Sequence, residues 1–314
     1  MRVSDPSTAS RLAGSAPLTD DLIQPFRIEG SEVRGQLVRL GAVADEVLRR
    51  HDYPTPVATL LGETLALSAV LAGALKYDGI FTFQTKGDGP VGLVVADLMS
   101  GGAMRGYAQF DQKRLAAAGH GNGAGPVPGL IGKGYLAFTV DQGLETDRYQ
   151  GIVELDGATL SECARRYFER SEQIQTSIKS AAGRGPDGRW RAAALMVQRM
   201  PPVAGAHDAA EADDAWQRAL ALAATCTDGE LLDPALEPNA LLYRLFHEDG
   251  VRAFAPRPLR FGCRCSEERA VRVLRSFPRE ELKELEVDGR IVMTCEFCRE
   301  TYNFDPDALP EAVP

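Results

Sequence analysis

The chain is 314 residues long, 44% hydrophobic and 25% charged, with 44 acidic against 35 basic side chains and a formal net charge of −9. That composition excludes a disordered chain, a collagen-like fibre and a disulfide-dense mini-protein, and the length allows one large domain plus something smaller. The acidic balance argues against binding nucleic acid or an anionic membrane over the whole surface.

Residues 1–20, rich in Ser, Ala and Pro, read as a disordered lead-in and lack an apolar core long enough for a signal peptide. From Asp21 a short strand-like piece is followed by Glu32 to Arg50, where Val33, Leu37, Leu40, Val43, Ala44, Val47 and Leu48 keep near-helical spacing and predict one helix. Tyr53-Pro54-Thr55-Pro56 ends it. The run Val57 to Leu75 then reads as a buried small-residue helix rather than a membrane span, because Glu63, two glycines and several hydroxyl residues interrupt it. Ile80 to Thr85, Val91 to Leu98 and Ala103 to Phe110, separated by turn residues, predict an antiparallel meander. Residues 119–129, with five glycines and two prolines, read as a mobile loop. Tyr135 to Val140 and Tyr149 to Leu155 alternate as a further strand pair, Leu160 to Ser171 is helical, and Arg191 to Arg199 is a strand.

Pro201-Pro202 marks a change. Residues 201–258 carry ten acidic and four basic side chains, whereas 1–200 balance at 22 each and 259–304 at nine each. Two amphipathic helices are expected there, Asp208 to Cys226 and Pro238 to Glu248. Both are short, self-repelling and dependent on docking an apolar face. The expected fold is therefore α+β. An N-terminal domain of antiparallel sheet packed with helices (21–200) is followed by an acidic helical linker (201–258), a small C-terminal four-cysteine zinc unit (259–305) and a tail (306–314).

The chemistry concentrates in Cys263-Arg264-Cys265 and, further along the chain, Cys295-Glu296-Phe297-Cys298. Two close pairs of thiols suit one tetrahedral Zn2+, since each pair chelates from one turn while the intervening chain folds between them. That intervening chain is built for it. Ser266 can cap a helix whose Ala270, Val273, Leu274 and Phe277 share one face, Pro278 opens a second helix, and Arg290 to Thr294 leads as a strand into the second pair. Structural zinc contributes roughly 10–16 kcal/mol to small modules, while a core this size supplies about 3–5 kcal/mol. Oxidation of the thiols would therefore eject the metal and unfold the unit. Arg264, Arg269 and Arg299 are placed to hold the thiolates ionised. Cys163 and Cys226 lie outside the motif and read as buried thiols.

Gly87-Asp88-Gly89-Pro90-Val91-Gly92 matches a dinucleotide fingerprint by letter, but it sits between two strands and reads as a hairpin turn. The four histidines keep no ligand spacing, and Trp190 and Trp216 read as packing residues. Two rival functions compete with a redox-sensing zinc unit. A thiol oxidoreductase would use Cys295 and Cys298 alone, yet that pair follows a strand instead of opening a helix. A nucleic-acid-binding zinc unit would show a basic excess that 259–304 lacks.

The run Cys263 to Arg269, the Cys295–Cys298 pair with Tyr302-Asn303-Phe304, and Leu241 to Glu248 together resemble the heat-shock protein 33 family of chaperones. Arg105-Gly106, Arg148-Tyr149-Gln150-Gly151 and Tyr167 to Gln173 add to the likeness, which spans about 21–305. The chain departs from the pattern at Gln175, where a proline is expected, in its lead-in over 1–20 and in the glycine-rich loop. The resemblance implies a non-enzymatic, cytoplasmic holdase chaperone, zinc-bound and idle when reduced. It further implies disulfides Cys263–Cys265 and Cys295–Cys298 on oxidation, unfolding of the acidic linker, binding of unfolded client proteins, and dimerisation of the oxidised form.

Overall fold

The computed structural model describes residues 20–118, 125–143, 148–201 and 209–308. In chain order come β1 (Leu22–Ile28), β2 (Val33–Leu40), α1 (Ala42–Arg49), α2 (Thr55–Gly73), β3 (Ile80–Gly87), β4 (Val91–Met99), β5 (Ala103–Phe110) and α3 (Gln112–Ala118). After a π-helical turn at Val127–Ile131 follow β6 (Gly134–Asp141), β7 (Tyr149–Glu154), α4 (Leu160–Tyr167), β8 (Thr176–Arg184) and β9 (Trp190–Arg199). The acidic stretch forms α5 (Ala209–Ala224), α6 (Asp228–Leu232) and α7 (Pro238–Phe246), then β10 (Val251–Ala253), β11 (Arg257–Pro258) and β12 (Arg260–Phe261). The last unit holds α8 (Glu267–Leu274), α9 (Arg279–Glu284), β13 (Glu286–Val287), β14 (Arg290–Thr294) and β15 (Thr301–Phe304).

The architecture is α+β, as expected. One sheet runs β10-β1-β2-β9-β8, with β11 also on β1; a second runs β12-β5-β4-β3-β6-β7; a third joins β13, β14 and β15. Helix α2 packs against strands of both large sheets and lies between them. It is largely apolar on every side, which suits a helix buried all round. By length and composition it would pass for a membrane span, but 83% of its apolar window is buried inside the protein. The core around it takes Phe81, Phe83, Val94, Phe138 and Met196 from the sheets.

The outer face of the first sheet carries a second core. Alternation along β9 sends Trp190, Ala192, Ala194 and Met196 toward α2 and Ala193, Leu195 and Val197 outward. There they meet Trp216, Ala219, Leu231, Leu241, Leu245 and Phe246 from α5, α6 and α7. Phe26 of β1 stacks on Phe246 with ring centroids 5.5 Å apart. The expected self-repulsion of the acidic stretch is offset by pairing: Asp213 with Arg199, Asp228 with Lys179, Glu230 with Arg244, and Arg218 with both Asp214 and Asp249. Each pair is partly exposed and worth little alone, so burial of the apolar face does most of the docking.

Several expectations need correction. The single helix over Glu32–Arg50 is instead strand β2, a turn at Gly41, and α1. β2 runs between β1 and β9 with both faces largely covered, so its apolar residues follow no period of two. The helix over Leu160–Ser171 stays α-helical to Tyr167, passes into a π-helical turn over Phe168–Glu172, and ends at Gln173 in the left-handed region, φ 55°. β8 and α6 carry too weak a pattern to be expected from sequence. The turn at Gly87–Gly92 does join β3 to β4 as a hairpin, and both tryptophans are buried. The lead-in up to residue 19, the loop over 119–124, Pro202, Asp208 and the tail from 309 lie outside the described residues.

Candidate metal centre

The chain reaches the centre from the second large sheet. β12 pairs in parallel with β5, Arg260 beside Ala103 and Phe261 beside Met104, and so delivers Cys263 next to Arg105. Gly262 follows β12 at a point where a Cβ would come within 2.8 Å of the Ala103 side chain. Beyond Cys265 the expected cap forms: Ser266 Oγ accepts from the Arg269 N–H at 3.3 Å and starts α8. Cys295 to Cys298 occupy the turn between β14 and β15. It is closed by Cys295 N–H to the Glu300 carbonyl at 2.8 Å and Arg299 N–H to the Cys295 carbonyl at 2.8 Å. Arg299 takes the left-handed region there, φ 60°.

All four sequence-predicted ligands, Cys263, Cys265, Cys295 and Cys298, come together with their Sγ atoms within 4.8 Å of one another. The close approaches run across the pairs, Cys263 to Cys295 at 3.7 Å and Cys265 to Cys298 at 3.3 Å. A metal with four sulfurs at about 2.3 Å sets them roughly 3.8 Å apart, so the donor set fits a tetrahedral thiolate-loving ion such as zinc. When bound, such an ion takes the place of the thiol protons and cross-links two loops. The unit around it has a small core of Ala270, Leu274, Ile291 and Phe304. No disulfide joins any of the six cysteines.

A shell of donors surrounds the sulfurs. Tyr302 Oη donates to Cys265 Sγ at 3.3 Å, and Arg105 Nη1 reaches Cys263 Sγ at 3.6 Å. Burial pushes the Cys263 thiol up, but the Cys265 backbone N–H, Arg105 and the neighbouring thiols outweigh it and bring it down to about 7. Burial raises Cys295 and Cys298. Arg105 is the residue that sequence reasoning missed as a thiol partner, because it lies 158 positions from Cys263. Arg264, expected near the sulfurs, feels the charge of Cys263 and also faces Asp97 at 3.4 Å.

Arg105 also fixes the unit to the second large sheet. Its Nε and Nη2 meet Asp97 Oδ2 at 2.8 and 2.7 Å, Thr82 donates to the other Asp97 oxygen at 2.7 Å, and the guanidinium lies 3.7 Å over the Phe297 ring. Tyr107 meets Phe297 edge-on at 4.9 Å, and Arg50 donates to the Cys298 carbonyl at 2.9 Å. The second Cys pair thus sits against β5 and the end of α1. Cys163 and Cys226 are both buried, as expected, and burial pushes each thiol up to about 11.

The family model described as Hsp33 protein matches residues 21–305. The 33 kDa chaperonin of Caulobacter vibrioides is 44% identical over 299 residues, 94% of this chain and 98% of that protein. That of Ectopseudomonas mendocina is 38% identical over 288 residues, 91% and 92% of the two chains. The crystal structure of the 33 kDa chaperonin (heat shock protein 33 homolog) of Thermotoga maritima superposes with a TM-score of 0.74. It shares 24% identity and covers 92% of this chain and 96% of that one. With the fold, the four-thiol cluster and these relatives in agreement, the chain belongs to the Hsp33 family.

Proposed function

We propose that this protein is a redox-regulated holdase chaperone, without catalytic turnover, of the cytoplasm. In the reduced state Cys263, Cys265, Cys295 and Cys298 hold one Zn2+ in tetrahedral geometry. The observation that carries this reading is the convergence of the four sulfurs within 4.8 Å at the base of a unit with a core of four buried residues. A unit so small depends on its cross-link.

Oxidation converts Cys263 with Cys265, and Cys295 with Cys298, into disulfides. Each pair of thiolates gives two electrons to one peroxide, whose O–O bond breaks, and with two protons taken up from solvent two waters leave. The zinc is lost, and local disulfides restore only part of its contribution because they close very small loops. The unit then unfolds and lets go of Arg105, Tyr107 and Arg50. Residues 201–258 act as the linker, between a first domain over 21–200 and a zinc domain over 259–305. Once its neighbour is lost, α5–α7 lift away and uncover Leu37, Leu195 and Val197 together with their own leucines. A large exposed apolar surface binds the apolar segments of unfolded proteins, and two such oxidised chains can associate through it.

The test is light scattering of an unfolded client diluted into the protein, reduced and zinc-loaded or peroxide-treated at mildly raised temperature. Suppression by the oxidised form alone, reversed by reduction, is the expected result. No suppression in either state overturns the reading. Mass mapping of the oxidised chain separates the stated pairs from Cys263–Cys295 and Cys265–Cys298.

A further inference from the structure

The face beneath α5–α7 is not a plain apolar sheet. Three cations rise from it among the leucines and valines, and each grips main-chain carbonyls of the acidic stretch. Arg39 of β2, 1% exposed, donates to the carbonyls of Asp233 and Leu236. Arg191 of β9, 7% exposed, donates through Nε to the Leu232 carbonyl at 2.7 Å. Lys179 of β8 donates to the Cys226 carbonyl at 2.7 Å and pairs with Asp228 at 3.0 Å. These carbonyls lie just beyond α5, at and just beyond the last residue of α6, and in the turn before α7, where helix ends leave acceptors unpaired. Further along β9, Arg199 meets Asp213 of α5. From the first domain's side Asp20 joins the cluster, paired to Arg191.

An arginine uncovered to water is hydrated again, and a client that covers it without supplying acceptors forfeits that hydration. When the acidic stretch leaves, Arg39, Arg191, Lys179 and Arg199 stay on the sheet with the apolar rows between them. We infer that the uncovered face selects client segments that resemble what it releases: acidic, leucine-bearing stretches able to form helical turns. Their carboxylates and helix-end carbonyls replace those of residues 226–236, and their leucines replace Leu231, Leu241 and Leu245. Segments rich in Lys and Arg are disfavoured, because like charges then face each other across a drying interface. This inference rests on the chaperone reading above.

The test uses the full chain after peroxide oxidation and two fluorescent peptides. One has the sequence of residues 227–246; the other carries Asp228→Lys, Glu230→Lys, Asp233→Lys and Glu237→Lys. Anisotropy should show the acidic peptide binding about tenfold more tightly or better, with the gap narrowing as salt rises. Arg191→Gln should shrink the gap. Lys179→Glu should do so too, at a partly exposed edge position that folding tolerates, so the test survives if the arginine variant fails to fold. Equal binding of the two peptides, or a gap indifferent to Lys179→Glu, overturns the inference. The same oxidised sample is assayed for suppression of client aggregation. Suppression without charge preference overturns this inference alone, and no suppression overturns the chaperone reading and this inference with it.

Discussion

Arg105 joins two jobs that a sequence scan treats separately. It neutralises Asp97, with side chains only 10% and 6% exposed, and its guanidinium reaches a cluster sulfur. Arg105→Met would leave the Asp97 carboxylate buried with Arg264 at 3.4 Å as its remaining charged partner among the described residues. Breaking a buried pair from one side costs about 3–5 kcal/mol. Urea unfolding of the reduced, zinc-loaded variant should show a loss of that order, and a chromogenic chelator should detect faster zinc release during peroxide treatment. The two remaining thiols make a complementary pair of reporters. Both titrate at about 11 because burial disfavours the thiolate, so iodoacetamide at neutral pH should leave both unlabelled in the reduced protein. After activation Cys226, packed under α5–α7, should label, while Cys163, in the core around α2, should not. Labelling of both would mean that the whole first domain opens; labelling of neither would mean that the acidic stretch stays docked.

At the level of elements, the sequence was legible where a pattern in the chain set one element apart from its neighbours. The β3–β5 meander, the β6–β7 pair, α5, α7, the Ser266 cap and the strand leading into Cys295 all followed from alternation, spacing or a cap. β2 failed for the opposite reason. Val33, Leu37, Val38 and Leu40 are covered on both faces, and Leu37 and Val38 point to different cores. Their spacing therefore mimicked a helix that continued into α1. β8 is an edge strand whose Ser177, Ile178, Lys179 and Ser180 are only half-covered, and it shows no strong alternation. The four ligands were legible because a metal imposes its spacing directly on the chain. Their arginine partner was not, because it arrives through sheet pairing.

Glu63 on α2 is the element-scale oddity. Burial raises its carboxyl to about 7 from an ordinary value of 4.5, with the charge of Asp228 on α6 adding to the effect. Between those two values the unfolded chain has released a proton that the folded chain keeps, so stability falls as pH rises through that window and stays lower above it. Glu63→Gln removes the titration. Its urea midpoint should exceed that of the parent at pH 8 by an amount worth about 1–3 kcal/mol and converge with it near pH 4.5. Parallel pH profiles for the two proteins would show that Glu63 is not the group responsible.

Across the whole molecule, the connections matter as much as the contacts. The acidic stretch leaves the first sheet at β9 and rejoins it at β10, where Ala253, Arg252 and Val251 pair with Phe26, Arg27 and Ile28 of β1. β12 then crosses to the second sheet before the first cysteine. Hydrogen exchange should show this division. On oxidation the amides of α5–α7 and of the four-thiol unit should lose protection, while those of β10 exchange more slowly because they remain paired to β1. Loss of β10 protection together with the helices would move the hinge past residue 253.

That double anchorage sets how the molecule returns to rest. The chain between the end of β9 and the start of β10 is held at both ends by strands of one sheet, so helices that lift on the proposed activation would stay tethered. A flexible chain of that length spans roughly 40 Å and presents its helices to the vacated face at an effective concentration on the order of millimolar. Any client on that face competes against a tethered rival at that concentration. On the proposed cycle, weakly held segments would be displaced once the C-terminal unit refolds.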